Sequence, residues 1–459
     1  MLQLQLGRAA RNCQQMTRRT ALKAGFLGVL GLTSADLLRM QARGQASSRK
    51  KSVILIWLDG GPSHLESYDP KPFAPIEYRG PWGAIRTNVP GMYVSEILPQ
   101  HAKHADKMAL IRSVHHDNGD HFAAAHWMLT GRFGSNAANL KQMYPSVGSF
   151  VAKVKGPNRQ GLPAYVGLPS AESVYLFPGY QGAAYLGAAY NPFDVDREAK
   201  YLGATDMRPI GTPKWLKQFE GEQSSIMESR ASLLQAMDTT CRAFDTSGAM
   251  STMDRFQLEA LDMVTGKNAK AAFDLDKEDP RTADRYGRSA WGRYTLMARR
   301  LVEAGVTFVT VDMPHWDDHA NIKESHGMKL RPMDQAVGAL LEDLHQRGML
   351  QDTLVVVMGE FSRTPRLNNG LPGQSTVPGR DHWGNAISVM MAGGGLKTGQ
   401  VVGATNSKGE HPVDRALRPF DILATIYHVL GIDYTQNFPD HTGRPVPMLG
   451  EGEPIRELI

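Results

Sequence analysis

Five short apolar runs punctuate the chain, at Val53–Leu58, Met108–Val114, Val306–Val311, Leu354–Met358 and Ile387–Met391. Most show no clean alternation of apolar and polar positions, which is the pattern of strands covered on both faces, as in a parallel sheet. Between and after them lie stretches with helical periodicity, 289–305, 333–348 and 414–431. Strand alternating with helix predicts an α/β fold built on a doubly wound, mostly parallel sheet. From about 135 to 285 the rhythm breaks. The chain is loop-rich to Pro213 and then helical, so this stretch reads as an insertion or cap, and residues 47–459 are expected to form one domain around it.

The first 46 residues have a different character. "MTRRTALKAGFLGVLGL" sets Arg18-Arg19 before a weakly apolar stretch, roughly Ala24 to Leu38, too short and Gly-rich to span a bilayer stably. Small residues at Gly44 and Ala46 offer a cleavage point after Ala46. The run "TRRTALK" resembles the twin-arginine export signal, with Ala21 where that pattern prefers Phe. The resemblance implies the twin-arginine export machinery as a partner and an exported, periplasmic or cell-envelope location.

This segment also explains the charge. It holds seven basic residues against Asp36, a net of +6, while the whole chain carries +5, so the remainder is about −1. The basic balance belongs to the leader and does not point to nucleic acid. Of the two cysteines, Cys13 lies in the leader, leaving Cys241 without an intrachain disulfide partner once the leader is removed.

The candidate chemistry gathers where the predicted strands end. Strand 53–58 runs into Asp59 and a Gly-Gly turn. Strand 306–311 is followed by "DMPHWDDHAN", strand 354–358 by "GEFSRTPR", and the loop before strand 387–391 carries "GRDHWGN". In open α/β sheets ligands bind at the carboxyl ends of the strands. Mixed Asp, Glu and His ligands suit zinc or manganese, and an all-oxygen set would favour calcium or magnesium. A further cluster, His115 to Arg132, contains a predicted helix, "DHFAAAHWMLTG", capped near Asn118 or Asp120, with His121 in its first turn. Amide groups at a helix start favour anions, which places His121 toward a bound oxyanion or its metal. His126, five residues on, points elsewhere and reads as a packing residue.

Taken together and in order, "LDGGPSHLESYDPKP", "TGR" at 130–132, "WDDH", "GEFSRTP", "GRDHW" and "MAGGGLKTGQVVGATN" resemble the domain of unknown function 1501 family, exported proteins of the alkaline phosphatase and sulfatase superfamily. The resemblance covers nearly all of the chain after residue 50 and implies an alkaline-phosphatase-like core. It matches Asp59 to the first-strand metal aspartate and selects Asp317 and His319 over Asp312 and His315. It puts Glu360 where a second metal acid stands, with Phe361 in place of the expected His or Asn, a gap that Asp381-His382 would fill. Counting back from Arg132, the nucleophile position holds His121, and no Cys-x-Pro-x-Arg or Ser-x-Pro-x-Arg occurs, which argues against a formylglycine-type sulfatase.

The expectation is therefore a metal-dependent hydrolase of phosphate or sulfate esters. Asp59, Asp317, His319, Glu360, Asp381 and His382 would hold one or two divalent ions, zinc first, with manganese and calcium as alternatives. His121, Arg363 and Arg380 form the catalytic set, the two arginines gripping the anionic ester, which the resemblance extends to a sulfated or phosphorylated glycan. Ser63-His64 and His441 are weaker candidates. The missing hydroxyl or thiol nucleophile sustains an alternative, a non-catalytic metal-containing binding or cell-envelope protein on the same fold.

Overall fold

The computed structural model describes residues 50–134, 143–172, 180–213, 216, 267–373 and 375–459. Residues 1–49, where an export signal with Arg18-Arg19 is expected, Cys241 and most of the predicted helical part of the insertion lie outside the described residues. Lys51–Ile459 forms one compact unit. Within it, among the described residues, eight strands make one sheet: β1 (Ser52–Trp57), β2 (Met108–Val114), β3 (Tyr165–Leu168), β4 (Phe193–Asp194), β5 (Phe308–Asp312), β6 (Thr353–Met358), β7 (Ile387–Gly393) and β8 (Gln400–Val402), in the order β8-β2-β7-β6-β1-β5-β3-β4. The pairings are parallel except on either side of β7, which runs antiparallel to β2 and β6. All five apolar runs are strands of this sheet. The stretch read as an insertion is partly inside it, because β3 and β4 extend the sheet beyond β5. Both are too short to stand out in an apolar profile.

The lack of alternation has its predicted cause. Ile54 and Ile56 of β1 join one buried core with α3 (Ala290–Ala304) and α4 (Ile322–Gln346). Val53, Leu55 and Trp57 point the other way, into a second core with α1 (His121–Thr130), α2 (Val147–Val154) and α5 (Pro419–Leu430). Successive side chains face opposite layers, and both layers are apolar.

β1 is central, flanked by β5 and β6 in parallel. Trp57 pairs with Asp312 on one side and Met358 on the other, so Asp59 and Glu360 each lie two residues past one register pair. The Gly-Gly turn after Asp59 is required by crowding. Gly60 (φ +110°) would bring a Cβ within 2.8 Å of the Trp316 and Asp317 backbone nitrogens, and a Cβ on Gly61 would meet the Phe361 ring at 2.5 Å. Three chain segments therefore approach as closely as backbone allows. Gly60→Ala is expected to lose the about 1–3 kcal/mol of a strained backbone plus the displacement of the 316–317 segment. Gly91→Ala, at φ +81° with open space around it, should lose only the strain. Urea midpoints of the two variants check this, Gly60→Ala falling further.

Candidate metal centre

Four segments deliver polar side chains to the carboxyl edge of the sheet beside β1. α1 is capped by Asp120, whose carboxylate accepts the Ala123 N–H at 2.9 Å, and so begins with His121. The loop after β5 carries Asp317 and His319. It is tied to β1 by backbone bonds from Met313 to Trp57 and from Trp316 to Asp59. Glu360 follows β6, and His382 lies on a short strand, His382–Trp383, paired with Ser362–Arg363.

The Asp317 carboxylate is the centre. Its Oδ1 lies 3.0 Å from His319 Nε2, 3.0 Å from His382 Nε2 and 2.6 Å from the Arg363 guanidinium, and its Oδ2 lies 3.5 Å from His121 Nε2. The two Nε2 atoms of His319 and His382 are 3.0 Å apart. Behind each ring, Nδ1–H donates to an oxygen: His121 to Glu360 Oε1, His319 to Asp381 Oδ1 and His382 to the Gly119 carbonyl, each at 2.7 Å. Those outer bonds fix the tautomer that presents Nε2 inward, the arrangement found behind metal-ligating histidines. His121, Asp317 and His382 offer ligand atoms that all lie within 4.8 Å of one another. Tetrahedral zinc with bonds of about 2.0–2.1 Å needs ligand atoms about 3.3 Å apart; Asp317 oxygens lie 3.0–3.5 Å from each of the three Nε2 atoms.

The charges agree. Burial opposes ionisation of Asp317, yet the hydrogen bonds from His121, His319 and His382 and the Arg363 charge hold it well below the ordinary carboxylate range. Burial likewise works against a charged His121, but its bonds to Asp317 and Glu360 carry it up to about 9. The Asp317 hydrogen bond raises His319 as well, against burial. The pocket is built to share positive charge around one anion.

Beneath this group lies a patch of carboxylates. Asp312, the last residue of β5, is buried with neither oxygen hydrogen-bonded, and Glu360 Oε2 is likewise buried without a hydrogen-bond partner. Burial, then the charges of Asp59 and Glu360, push the Asp312 carboxyl well above the ordinary range. Glu360 Oε1 also accepts the Gly60 N–H at 2.9 Å. Asp312 is the functional candidate that the sequence pattern passed over in favour of Asp317. Its position as the terminal residue of a strand adjacent to β1 is the signal that could have found it.

The expected site residues thus fall into three groups. Asp317, His319 and His382 converge, and His121, expected in the catalytic set, joins them as a fourth inward-facing group. Asp381 and Glu360 hold imidazoles from behind, and Asp59 lies with Asp312 and Glu360 in the carboxylate patch. Phe361, in the place of an expected ligand, is a wall: its ring centre lies 4.8 Å from that of His121 and 4.5 Å from that of His382.

The two arginines do other work. Arg363 is fully buried and donates to the carbonyls of Gly60, Gly61 and Arg380 besides Asp317. Arg380 is fully buried against Glu66 at 2.8 Å and the carbonyls of Tyr78, Thr364 and Pro365. Their donors are taken by the protein, so neither is open to an ester oxygen. Ser63 and His64 do not pair: the Ser63 N–H donates to His326, while the His64 ring bonds Ser362 and the Gly409 carbonyl. His441 lines a separate cavity with Arg132 and Tyr144, and His126 Nδ1–H donates to the Arg132 carbonyl, as a packing residue would. The glycines 393–395 close a turn at the end of β7.

A family model described as a protein of unknown function (DUF1501) matches residues 50–459. A search of curated proteins gives no match. Similar solved structures include the alkaline phosphatase of the Antarctic bacterium TAB5, at 14% identity over 84% of this chain and 99% of that one, with a TM-score of 0.38. They also include the PsFucS1 sulfatase from Pseudoalteromonas sp., at 12% over 86% and 70% (TM-score 0.35), and the lipoteichoic acid synthase LtaP from Listeria monocytogenes, at 13% over 84% and 73% (TM-score 0.37).

Arg380→Met, which strands the buried Glu66 carboxylate, is expected to lower unfolding free energy by about 3–5 kcal/mol. A catalytic role would instead leave the urea midpoint unchanged.

Proposed function

The chain belongs to the DUF1501 family, and from that premise and the geometry above we propose that it is an exported, cation-dependent hydrolase of phosphate or sulfate esters. The observation that carries the reading is the common orientation of three imidazoles, each held at Nδ1 and each turning Nε2 toward Asp317. His121, His319, His382 and Asp317 would hold one ion, with zinc as the best match to this nitrogen-rich set. Asp59, Asp312 and Glu360 supply an oxygen-rich place for a second, where the charge of Asp312 would find its compensation. When bound, such ions polarise an ester oxygen and make water a stronger nucleophile.

The chain's own residues supply position. Arg363 locks Asp317 to the β1 turn, Glu360 holds His121 and Gly60 in register, and Asp381 and the Gly119 carbonyl aim the other two rings. Phe361 excludes water from one side. His121, bonded at Nδ1 to Glu360, serves as a ligand in this reading and not as the nucleophile.

Beside Asp381 opens a cleft of about 790 Å³. Tyr78 and Trp383 give it aromatic surface, and Asn369, Asn385 and His411 give it hydrogen-bonding groups. Such a lining suits the sugar ring of a sulfated or phosphorylated glycan, with the ester directed at the cluster. Among the described residues no helix is long and apolar enough to cross a membrane.

Purified protein should contain about one to two zinc ions per chain and hydrolyse at least one of nitrophenyl phosphate, a nitrophenyl diester or nitrophenyl sulfate. His382→Ala should lose the nitrogen-site ion and lower kcat/KM at least about 100-fold. Metal present with no turnover on any ester would favour the binding or cell-envelope reading, and protein without metal would overturn both. For export, Arg18-Arg19→Lys-Lys is expected to leave the protein in the cytoplasm, as shown by fractionation. Normal export of that variant would rule out the twin-arginine route.

A further inference from the structure

One wall of the metal-centre loop contains three ionisable groups that the reading above does not use. His326 and Lys329 lie three residues apart on α4, so they share a face. His326 Nε2 accepts the Ser63 N–H at 3.1 Å, which leaves its Nδ1–H to donate to Asp318 Oδ2 at 2.5 Å. Lys329 Nζ donates to both Asp318 oxygens, at 2.7 and 2.6 Å, and to the His315 carbonyl. All three side chains are buried or nearly so. Asp318, adjacent to Asp317, has both oxygens occupied and is held as a strut.

We propose that Lys329, Asp318 and His326 form a positioning clamp. It holds residues 313–319, and with them Asp317 and His319, in the geometry that accepts a cation, and in this it rests on the cation-site reading above. One observation and one general consideration support the assignment beyond the contacts themselves. Asp317 and His319 stand between two non-glycine residues with positive φ, His315 at +78° and Asn321 at +53°. Such backbone persists only where its surroundings over-determine it, and Lys329 grips the carbonyl of the first of them. Moreover, a buried lysine–aspartate pair adds little net stability compared with apolar residues of similar volume. What the pair supplies here is a single conformation for the loop. His326 extends the same connection to Ser63, so the clamp links α4, the β5 loop and the turn after β1.

The test is the double variant Asp318→Asn/Lys329→Met in the full chain, which removes both charges at similar volume. In metal-free protein, amide hydrogen exchange of peptides covering 313–320 should rise about 10-fold or more, while peptides from β1 and β6 stay as in wild type. Zinc affinity, measured by competition with a chromogenic chelator, should fall about 10–100-fold, and the visible spectrum of the Co²⁺-loaded protein should change in intensity. Lys329→Arg, which keeps the charge, should recover part of the affinity. Unchanged exchange over 313–320, or unchanged zinc affinity with a wild-type Co²⁺ spectrum, would overturn the clamp. A wild-type protein that takes up neither Co²⁺ nor zinc overturns the cation reading instead, and the exchange measurement still decides whether the clamp holds the loop.

Discussion

The Asp317 carboxylate sits where three imidazole nitrogens and a guanidinium meet, and this crowding is the constraint around which the rest of the edge is arranged. Two of those nitrogens, on His319 and His382, are 3.0 Å apart and both 3.0 Å from the same oxygen. They cannot both direct a proton at each other, so the group is stable only while positive charge is shared among its members. A divalent ion meets that requirement with neutral imidazoles, and protons meet it otherwise, in line with the upward shifts of His121 and His319. The outer partners at each Nδ1 stop the rings from rotating to relieve the crowding.

The sheet supplies the complementary problem. Parallel strands bring their carboxyl ends to one edge, and here β1, β5 and β6 are neighbours that each finish on or near an acid: Asp59, Asp312 and Glu360. Burial, and then the neighbouring charges of Asp59 and Glu360, push the Asp312 carboxyl well above the ordinary range. A layer of buried carboxyl groups beneath a ring of nitrogen donors is an arrangement that cations would relieve from both sides. The Gly60-Gly61 turn lets these segments come close enough for that to matter.

Buried cations of the protein itself hold the edge together. Arg363 and Arg380 bridge loop carbonyls across long stretches of chain, and Lys329 does the same for the β5 loop. A guanidinium placed in a motif next to acids invites an assignment to substrate, since ester and carbonyl oxygens ask for the same donors. Which oxygen it meets depends on burial, and both arginines are fully buried. The open, hydrogen-bonding surface lies instead in the cleft lined by Tyr78 and Trp383.

Much was legible without coordinates, because it depended on local pattern. Unalternating apolar runs marked strands with two covered faces, the capped "DHFAAAHWMLTG" marked a helix with His121 in its first turn, and the motif order carried the family. The strand-end acids followed from the same pattern, since polar residues after a buried strand fall at its edge. Only the tertiary structure could assign roles among them. Asp381 and His382 are adjacent in sequence, yet the side chain of one reaches His319 from behind while the other faces Asp317. Asp317 and Asp318 are likewise divided between the cluster and α4. Successive residues in an extended segment point to opposite sides, and which side is the site is decided by what the rest of the chain packs there. For the same reason β3 and β4 escaped notice and Asp312 was passed over for Asp317. A two- to four-residue strand and a lone acid have no periodicity to read, and they gain meaning only from the neighbours that fold against them.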